Sequence, residues 1–220
     1  MRGRFITFEG GEGTGKSTQA ALLADRLKTL GIGVVLTREP GGSPGAEVIR
    51  HVVLSGAAQP FGAHAEAILF AAARDDHVRQ VIRPALDAGH WVICDRFADS
   101  TRIYQGSLGN VDSRLINALE RISVGNVRPD LTIILDVPAE IGLARAAKRS
   151  GAKADRFESE ALDFHKKLRD AYRDLAEREP ERCIVIDASQ DAAAVSEAIW
   201  TCVLRRIEAS RVPLTADAVR

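Results

Sequence analysis

The octapeptide Gly10-Gly11-Glu12-Gly13-Thr14-Gly15-Lys16-Ser17 follows directly on Phe5-Ile6-Thr7-Phe8-Glu9 and leads into Leu23, Leu27 and Leu30 at helical spacing. An apolar strand, a glycine turn and a helix in immediate succession form the unit that presents backbone N–H groups to phosphate. Glycines let the successive amides turn inward, and the helix N-terminus adds the positive end of its dipole. Lys16 is placed to reach β- and γ-phosphates, and Ser17 offers a hydroxyl to Mg²⁺. Residues Gly10 to Thr18 therefore read as a nucleoside triphosphate site. Guanine-reading relatives of this loop carry an N-K-x-D motif, which does not occur here, and partitioning ATPases carry an early lysine where this chain has Gly11. ATP is the expected nucleotide, with Mg²⁺ as cofactor.

Four further short apolar runs follow: Gly33 to Thr37, Trp91 to Cys94, Leu131 to Asp136, and Cys183 to Asp187. Each is rich in β-branched residues and lacks polar alternation, which predicts strands covered on both faces. Helical patterns fill the gaps at 46–55, 64–88, 112–123, 139–148, 158–178 and 191–208, with Pro84 predicting a kink near Arg83. Strands separated by helices imply a parallel sheet with right-handed crossovers. The expected fold is α/β, a P-loop NTPase-type parallel sheet of five strands flanked by helices on both faces, with a small lid. A single domain over residues 1–208 is expected, with a disordered tail at 209–220, where apolar periodicity fades.

The chain of 220 residues balances 30 Lys and Arg against 30 Asp and Glu. That argues against a dedicated nucleic-acid or membrane-surface binder, which carries a basic excess. Cys94, Cys183 and Cys202 show no metal spacing, and an odd count without a framework points to a reducing compartment. No apolar stretch reaches about 18 residues and no secretory leader is visible. The expectation is a soluble cytoplasmic protein.

Beyond the loop, several segments carry a resemblance. They are Phe8 to Gln19, Thr37-Arg38-Glu39-Pro40-Gly41-Gly42, Leu69-Phe70-Ala71-Ala72-Ala73-Arg74, Asp95-Arg96-Phe97 with Ser100-Thr101 and Tyr104-Gln105-Gly106, Arg128-Pro129-Asp130-Leu131-Thr132, and Asp155-Arg156-Phe157-Glu158. In order and spacing they resemble the thymidylate kinase family in its bacterial form. The resemblance implies transfer of a phosphoryl group from ATP to dTMP. It implies that Arg38 and Arg96 hold the acceptor phosphate, a task suited to a planar fork of donors. Phe70 would stack on thymine while Arg74, one helical turn away, donates to a base oxygen. Ser100, Thr101, Tyr104 and Gln105 would line base and sugar, with the Tyr104 ring leaving no room for a 2′-hydroxyl. Glu12 would contact the acceptor's sugar hydroxyl. Asp95 is the preferred partner of Ser17 at the metal, with Asp136 as the alternative. A homodimer is implied by the family alone.

Some thymidylate kinases carry an arginine inside the phosphate loop, at the position of Gly13 here. The charge must then come from elsewhere. Arg145, Lys148, Arg149, Lys153 and Arg156 cluster around Ser150-Gly151, which reads as a lid at about 145–157. Bacterial members of the family that lack a loop arginine supply it from the lid, and by that resemblance Arg149 best matches the transition-state cation, with Arg156 and Arg145 as alternatives. The catalytic set is thus Lys16, Arg149, Asp95 and Arg96. Two other readings stay open at this level: a different pyrimidine nucleotide kinase, and an ATPase switch that uses no acceptor.

Overall fold

A computed structural model describes residues 2–150, 157 and 160–209, with 149, 150 and 207–209 described as backbone only. Most of the expected lid, including Lys153 and Arg156, and the expected tail lie outside the described residues.

Five strands, β1 (Phe5–Glu9), β2 (Val34–Arg38), β3 (Trp91–Asp95), β4 (Leu131–Asp136) and β5 (Cys183–Asp187), form one parallel sheet in the order β2-β3-β1-β4-β5. The chain runs from β1 to β2 on one side, and after β3 it crosses to β4 on the other side of β1. That reversal opens a crevice at the carboxyl end of β1, where open α/β sheets bind their ligands.

On one face, α1 (Lys16–Thr29) and α9 (Ala192–Ala209) pack Leu23, Leu27, Ile199 and Val203 against Ile6, Phe8, Ile93 and Ile133. On the other face, α4 (Arg83–Asp87) covers Phe5 and Val92, while α8 (Leu162–Arg178) covers Ile134 with Leu168, Tyr172 and Leu175. Each such side chain, fully buried, contributes about 1.5–3 kcal/mol. The expectation of two-sided cover holds for β1, β3 and β4 but fails at the sheet's edges. Leu36 on β2 is 44% exposed and Val185 on β5 is 42% exposed. Helices pack on these edge strands too, where Val34 of β2 and Ile186 of β5 join the core that α1 and α9 build, but the cover is incomplete.

The helical pattern over 64–88 resolves into α3 (Gly62–His77), a π-helical stretch at Val78–Ile82 and α4. Pro84 lacks an N–H and its ring crowds the carbonyl four residues back, so the helix widens just before it. The remaining helices are α2 (Pro44–Leu54), α5 (Ala98–Thr101), α6 (Ser113–Ser123) and α7 (Ala139–Ser150). Helix α5 runs on into a second π-helical stretch at Arg102–Leu108, which no sequence pattern announced. A widened helix does not repeat its apolar residues every 3.6 positions, and Ile103, Tyr104 and Gln105 are buried in succession.

Candidate functional site

A cleft of about 510 Å³ opens at the carboxyl ends of β1, β2 and β3. One wall is the glycine loop, where Gly15, Lys16, Ser17 and Thr18 start α1; the opposite wall carries Arg38, Phe70, Arg74, Arg96, Ser100, Thr101, Tyr104 and Gln105. Glu12, Gly13 and Asp95 lie between them. Gly10, Gly11 and Thr14 turn to the far side of the loop, over a small hollow bordered by Asp136 and Tyr172.

Two glycines of the loop are there because the chain crosses them closely. A Cβ on Gly10 would fall 2.4 Å from the carbonyl oxygen of Leu135 in β4. One on Gly13, where φ is 66°, would fall 1.9 Å from the carbonyl oxygen of Gly142 in α7. Real Cβ atoms do not approach that far. Reciprocally, a Cβ on Gly142 would meet the carbonyl oxygen of Glu12 at 2.5 Å. Loop and helix touch backbone to backbone.

Lys16 folds over the loop, its Nζ donating to the carbonyls of Gly10 at 3.1 Å and Gly11 at 2.6 Å. Burial, followed by the nearby Arg96 guanidinium, lowers its pKa to about 8 against the opposing pull of Glu12, Asp95 and Glu9. Ser17 Oγ donates to Asp95 Oδ2, so the hydroxyl and carboxylate expected at a metal sit side by side. Hard oxygen donors of this kind fit Mg²⁺, which keeps much of its shell for water and phosphate. Among the described residues no group of three or more His, Cys, Asp and Glu side chains could hold a metal on its own. The alternative, Asp136, is instead clasped by Arg169 through two hydrogen bonds of 2.7 and 2.8 Å.

Arg96 lines the wall opposite the loop in a left-handed backbone conformation, with φ 69°. Its Nη2 pairs with Glu12 Oε1 at 2.5 Å, and its guanidinium lies 5.3 Å from the centre of the Tyr104 ring. Tyr104 OH also donates to Glu12 Oε1, at 2.9 Å. Burial pushes the Glu12 carboxyl up, but Arg96, Lys16 and the Tyr104 hydroxyl outweigh it and hold the pKa at about 2. Glu12 is an anion throughout the physiological range. Arg38 lies at the mouth and bonds Glu47 at 2.9 Å, with both side chains about half exposed.

Arg74 is almost fully enclosed. Its Nη2 donates to Thr101 Oγ1 at 3.1 Å and to the carbonyl of Phe97 at 3.2 Å, and its Nε donates to Glu39 at 2.7 Å. Phe70 borders the cleft from the same helix face, with Phe157 6.3 Å away centre to centre. Gln105 is buried and lines the floor. Ser100 serves as scaffold as well as lining. Its Oγ donates to Glu9 at 2.7 Å and lies 3.1 Å from Tyr172 OH.

Sequence reasoning missed Glu9 and Tyr172. Glu9 has no exposed surface and accepts from the Phe97 amide at 2.8 Å, Ser100 Oγ and Tyr172 OH at 2.8 Å. Burial and then the charge of Asp99 raise it to about 7, although Arg96, Ser100 and the Phe97 amide pull the other way. The available signal was a glutamate ending an otherwise apolar strand. Nothing local pointed to Tyr172, which is 163 residues from Glu9.

Of the expected lid cations, Arg145 is engaged elsewhere. Its Nη1 and Nη2 donate to the carbonyls of Ala188 at 2.7 Å and Ser189 at 3.0 Å, beyond β5. Arg149 lies in the last turn of α7, where the description is of backbone alone, and Arg156 is outside the described residues.

Comparisons with known proteins agree on one family. A family model described as thymidylate kinase matches residues 8–199. A thymidylate kinase from Nitrobacter winogradskyi is 61% identical over 219 residues, covering 99% of this chain and 93% of its own. One from Bradyrhizobium sp. (strain ORS 278) is 62% identical over 207 residues, covering 94% and 92%. The crystal structure of thymidylate kinase from Ehrlichia chaffeensis superposes with a TM-score of 0.75 at 34% identity, covering 92% of this chain and all of that one.

Proposed function

Since the chain belongs to the thymidylate kinase family, and so phosphorylates dTMP to dTDP with ATP in the supply of dTTP, we propose that the 510 Å³ cleft is where donor and acceptor meet. The observation that carries this reading is the facing of two kinds of wall across one space. Phosphate-cradling amides with Lys16, Ser17 and Asp95 stand opposite an aromatic ring, Phe70, and two enclosed arginines, Arg74 and Arg96.

In this reading the loop amides and Lys16 hold the ATP phosphates, with Lys16 exchanging the carbonyls of Gly10 and Gly11 for phosphate oxygens. Ser17 and Asp95 would hold Mg²⁺, which would supply positive charge to offset that of the phosphates. Arg96 and Arg38 take the acceptor phosphate, and Arg38 gives up Glu47 to do so. Oε1 of Glu12 already receives Arg96 and Tyr104, and Oε2, without a partner among the described residues, accepts a sugar hydroxyl. Tyr104 packs against C2′ and disfavours ribose. The attacking phosphate oxygen needs no base, so the chain's work is alignment and charge stabilisation. Arg149, brought in from the lid, completes the cation set.

A homodimer and a cytoplasmic location belong to the same reading. The dimer is carried over from the family alone. Among the described residues no helix is long and apolar enough to cross a membrane.

The deciding test is an acceptor panel read by coupled ADP release. With dTMP, dUMP, UMP, CMP, AMP and GMP, turnover should be highest for dTMP, lower for dUMP, and minimal for UMP and the purines. A purine preferred over dTMP would overturn the assignment of Phe70 and Arg74 to a pyrimidine.

Lys16 supplies a second test. In the free enzyme its pKa of about 8 leaves it largely neutral at pH 9. Bound phosphates favour the ammonium, so ATP binding at pH 9 should take up about 0.9 proton, against about 0.1 at pH 7. Calorimetry in buffers of different ionisation enthalpy reads this directly. Equal uptake at both pH values would show that Lys16 is not depressed, and Lys16→Met should abolish the difference.

A further inference from the structure

The enclosed side of Arg74 is built more elaborately than packing requires. Its Nε and Nη2 are both tied to the protein, which leaves Nη1 without a partner among the described residues, on a side chain that borders the cleft. The tie on Nε is Glu39, whose side chain is 5% exposed against 4% for Arg74. The other oxygen of Glu39 accepts from Nδ1 of His77 at 3.1 Å, and His77 has no exposed surface. Nε2 of His77 in turn shares a 2.7 Å hydrogen bond with Thr37 Oγ1 on β2. Gly42 closes over the far end, since a Cβ there would come within 2.5 Å of both His77 Nε2 and Thr37 Oγ1. A buried carboxylate with each oxygen engaged by a directed donor holds its partners in one arrangement, because leaving it would strand a charge away from water.

We propose that Glu39 is a specificity-determining positioning residue: held by His77 and Thr37, it locks the Arg74 guanidinium so that a base bearing an amino group opposite it is rejected. The proposal rests on the reading above that the acceptor base lies against Phe70 and Arg74. Thymine and uracil present a carbonyl oxygen at their 4-position, and cytosine presents an amino group. An untethered arginine facing an amino group can swing aside and let water fill the gap. A tethered one cannot, so donor meets donor and both remain unpaired in a desolvated site. Discrimination against the amino pyrimidine then resides in the tether as much as in the arginine.

The test is steady-state kinetics of the full-length enzyme with dTMP, dUMP and dCMP. Glu39→Gln keeps the shape and removes the charge. It should lower the dTMP-to-dCMP ratio of kcat/KM by about tenfold or more, a size typical of losing directed hydrogen-bond selection. The change should fall mainly on KM, and the dTMP-to-dUMP ratio should stay within about twofold, because both bases offer the same oxygen. Arg74→Gln separates the proposal from its premise. If Arg74→Gln leaves the dTMP-to-dCMP ratio intact, the base does not lie there and the premise fails. If Arg74→Gln collapses that ratio while Glu39→Gln lowers only the melting temperature, Glu39 is structural and the proposal alone is overturned. Should Glu39→Gln not fold, Thr37→Val leaves Glu39 charged and loosens His77. It should cut the dTMP-to-dCMP ratio by about threefold, and an unchanged ratio would equally overturn the tether.

Discussion

Arg149→Ala is expected to lower kcat by about 10³-fold while ATP and dTMP binding change less than about threefold. The argument runs through what the other cations are doing. Lys16 is folded onto the loop carbonyls, Arg96 is paired with Glu12, and Arg145 is held by the carbonyls of Ala188 and Ser189. None of these stands free for the equatorial oxygens of the transferring group, where charge spreads in the transition state. Position 13 of the loop is closed to any side chain by the Gly142 carbonyl, 1.9 Å from where a Cβ would sit. Helix α7 itself provides the route. Arg149 follows Gly142 by seven residues in α7, which is about 10 Å along the axis and within about 20° of the same azimuth. The face of α7 that touches the loop is therefore the face on which Arg149 is carried. Single-turnover kinetics with both substrates saturating would isolate the chemical step. A kcat within about threefold of the parent enzyme, with binding intact, would move the role to Arg156. Arg149→Lys should fall between the two, because an ammonium keeps the charge but loses the planar fork.

How much of this was legible in the sequence depended on distance along the chain. The runs Phe5 to Glu9, Leu131 to Asp136 and Cys183 to Asp187 match the strands residue for residue, since apolar β-branched stretches with no competing period admit little else. Strands β2 and β3 each extend one residue past the expected end, to Arg38 and Asp95, which face each other in the ladder. Both residues lie at the carboxyl edge of the sheet and line the cleft, where open α/β sheets bind ligands. The sidedness of the sheet was less visible, because nothing in Leu36 or Val185 distinguishes an edge strand from a central one. The supporting shell was hardest to see. Glu9 meets Tyr172 and Glu39 meets Arg74 and His77 only through tertiary packing, at sequence separations of 163, 35 and 38 residues. Motifs named residues that line the cleft, and the structure adds those packed behind them.

Gly13→Ala should be the most damaging single methyl in the loop, reducing kcat by about 10²-fold. Two costs combine. A non-glycine residue at the φ of 66° found here costs about 1–2 kcal/mol. The added Cβ would also lie 1.9 Å from the Gly142 oxygen, 2.8 Å from its carbon and 3.0 Å from the amide of Ala146. All three are backbone atoms, so no side chain can rotate away, and either the loop or α7 must retreat. On the proposed assignment, retreat of α7 carries Arg149 off the transferring group, and retreat of the loop shifts Lys16. Since a displacement of about 1 Å in a reacting assembly costs about 10²-fold, either route reaches the same loss. Gly142→Ala makes the comparison decisive. It approaches the same contact from the helix side, 2.5 Å from the Glu12 oxygen, and leaves every loop residue unchanged. If the contact positions the lid, both variants should lose kcat together, with ATP affinity impaired more by Gly13→Ala, which alters the cradle itself. If Gly142→Ala retains full turnover while Gly13→Ala does not, the helix plays no part and the loop conformation alone accounts for the loss. If both retain it, the close approach of α7 to the phosphate loop is packing without consequence for catalysis.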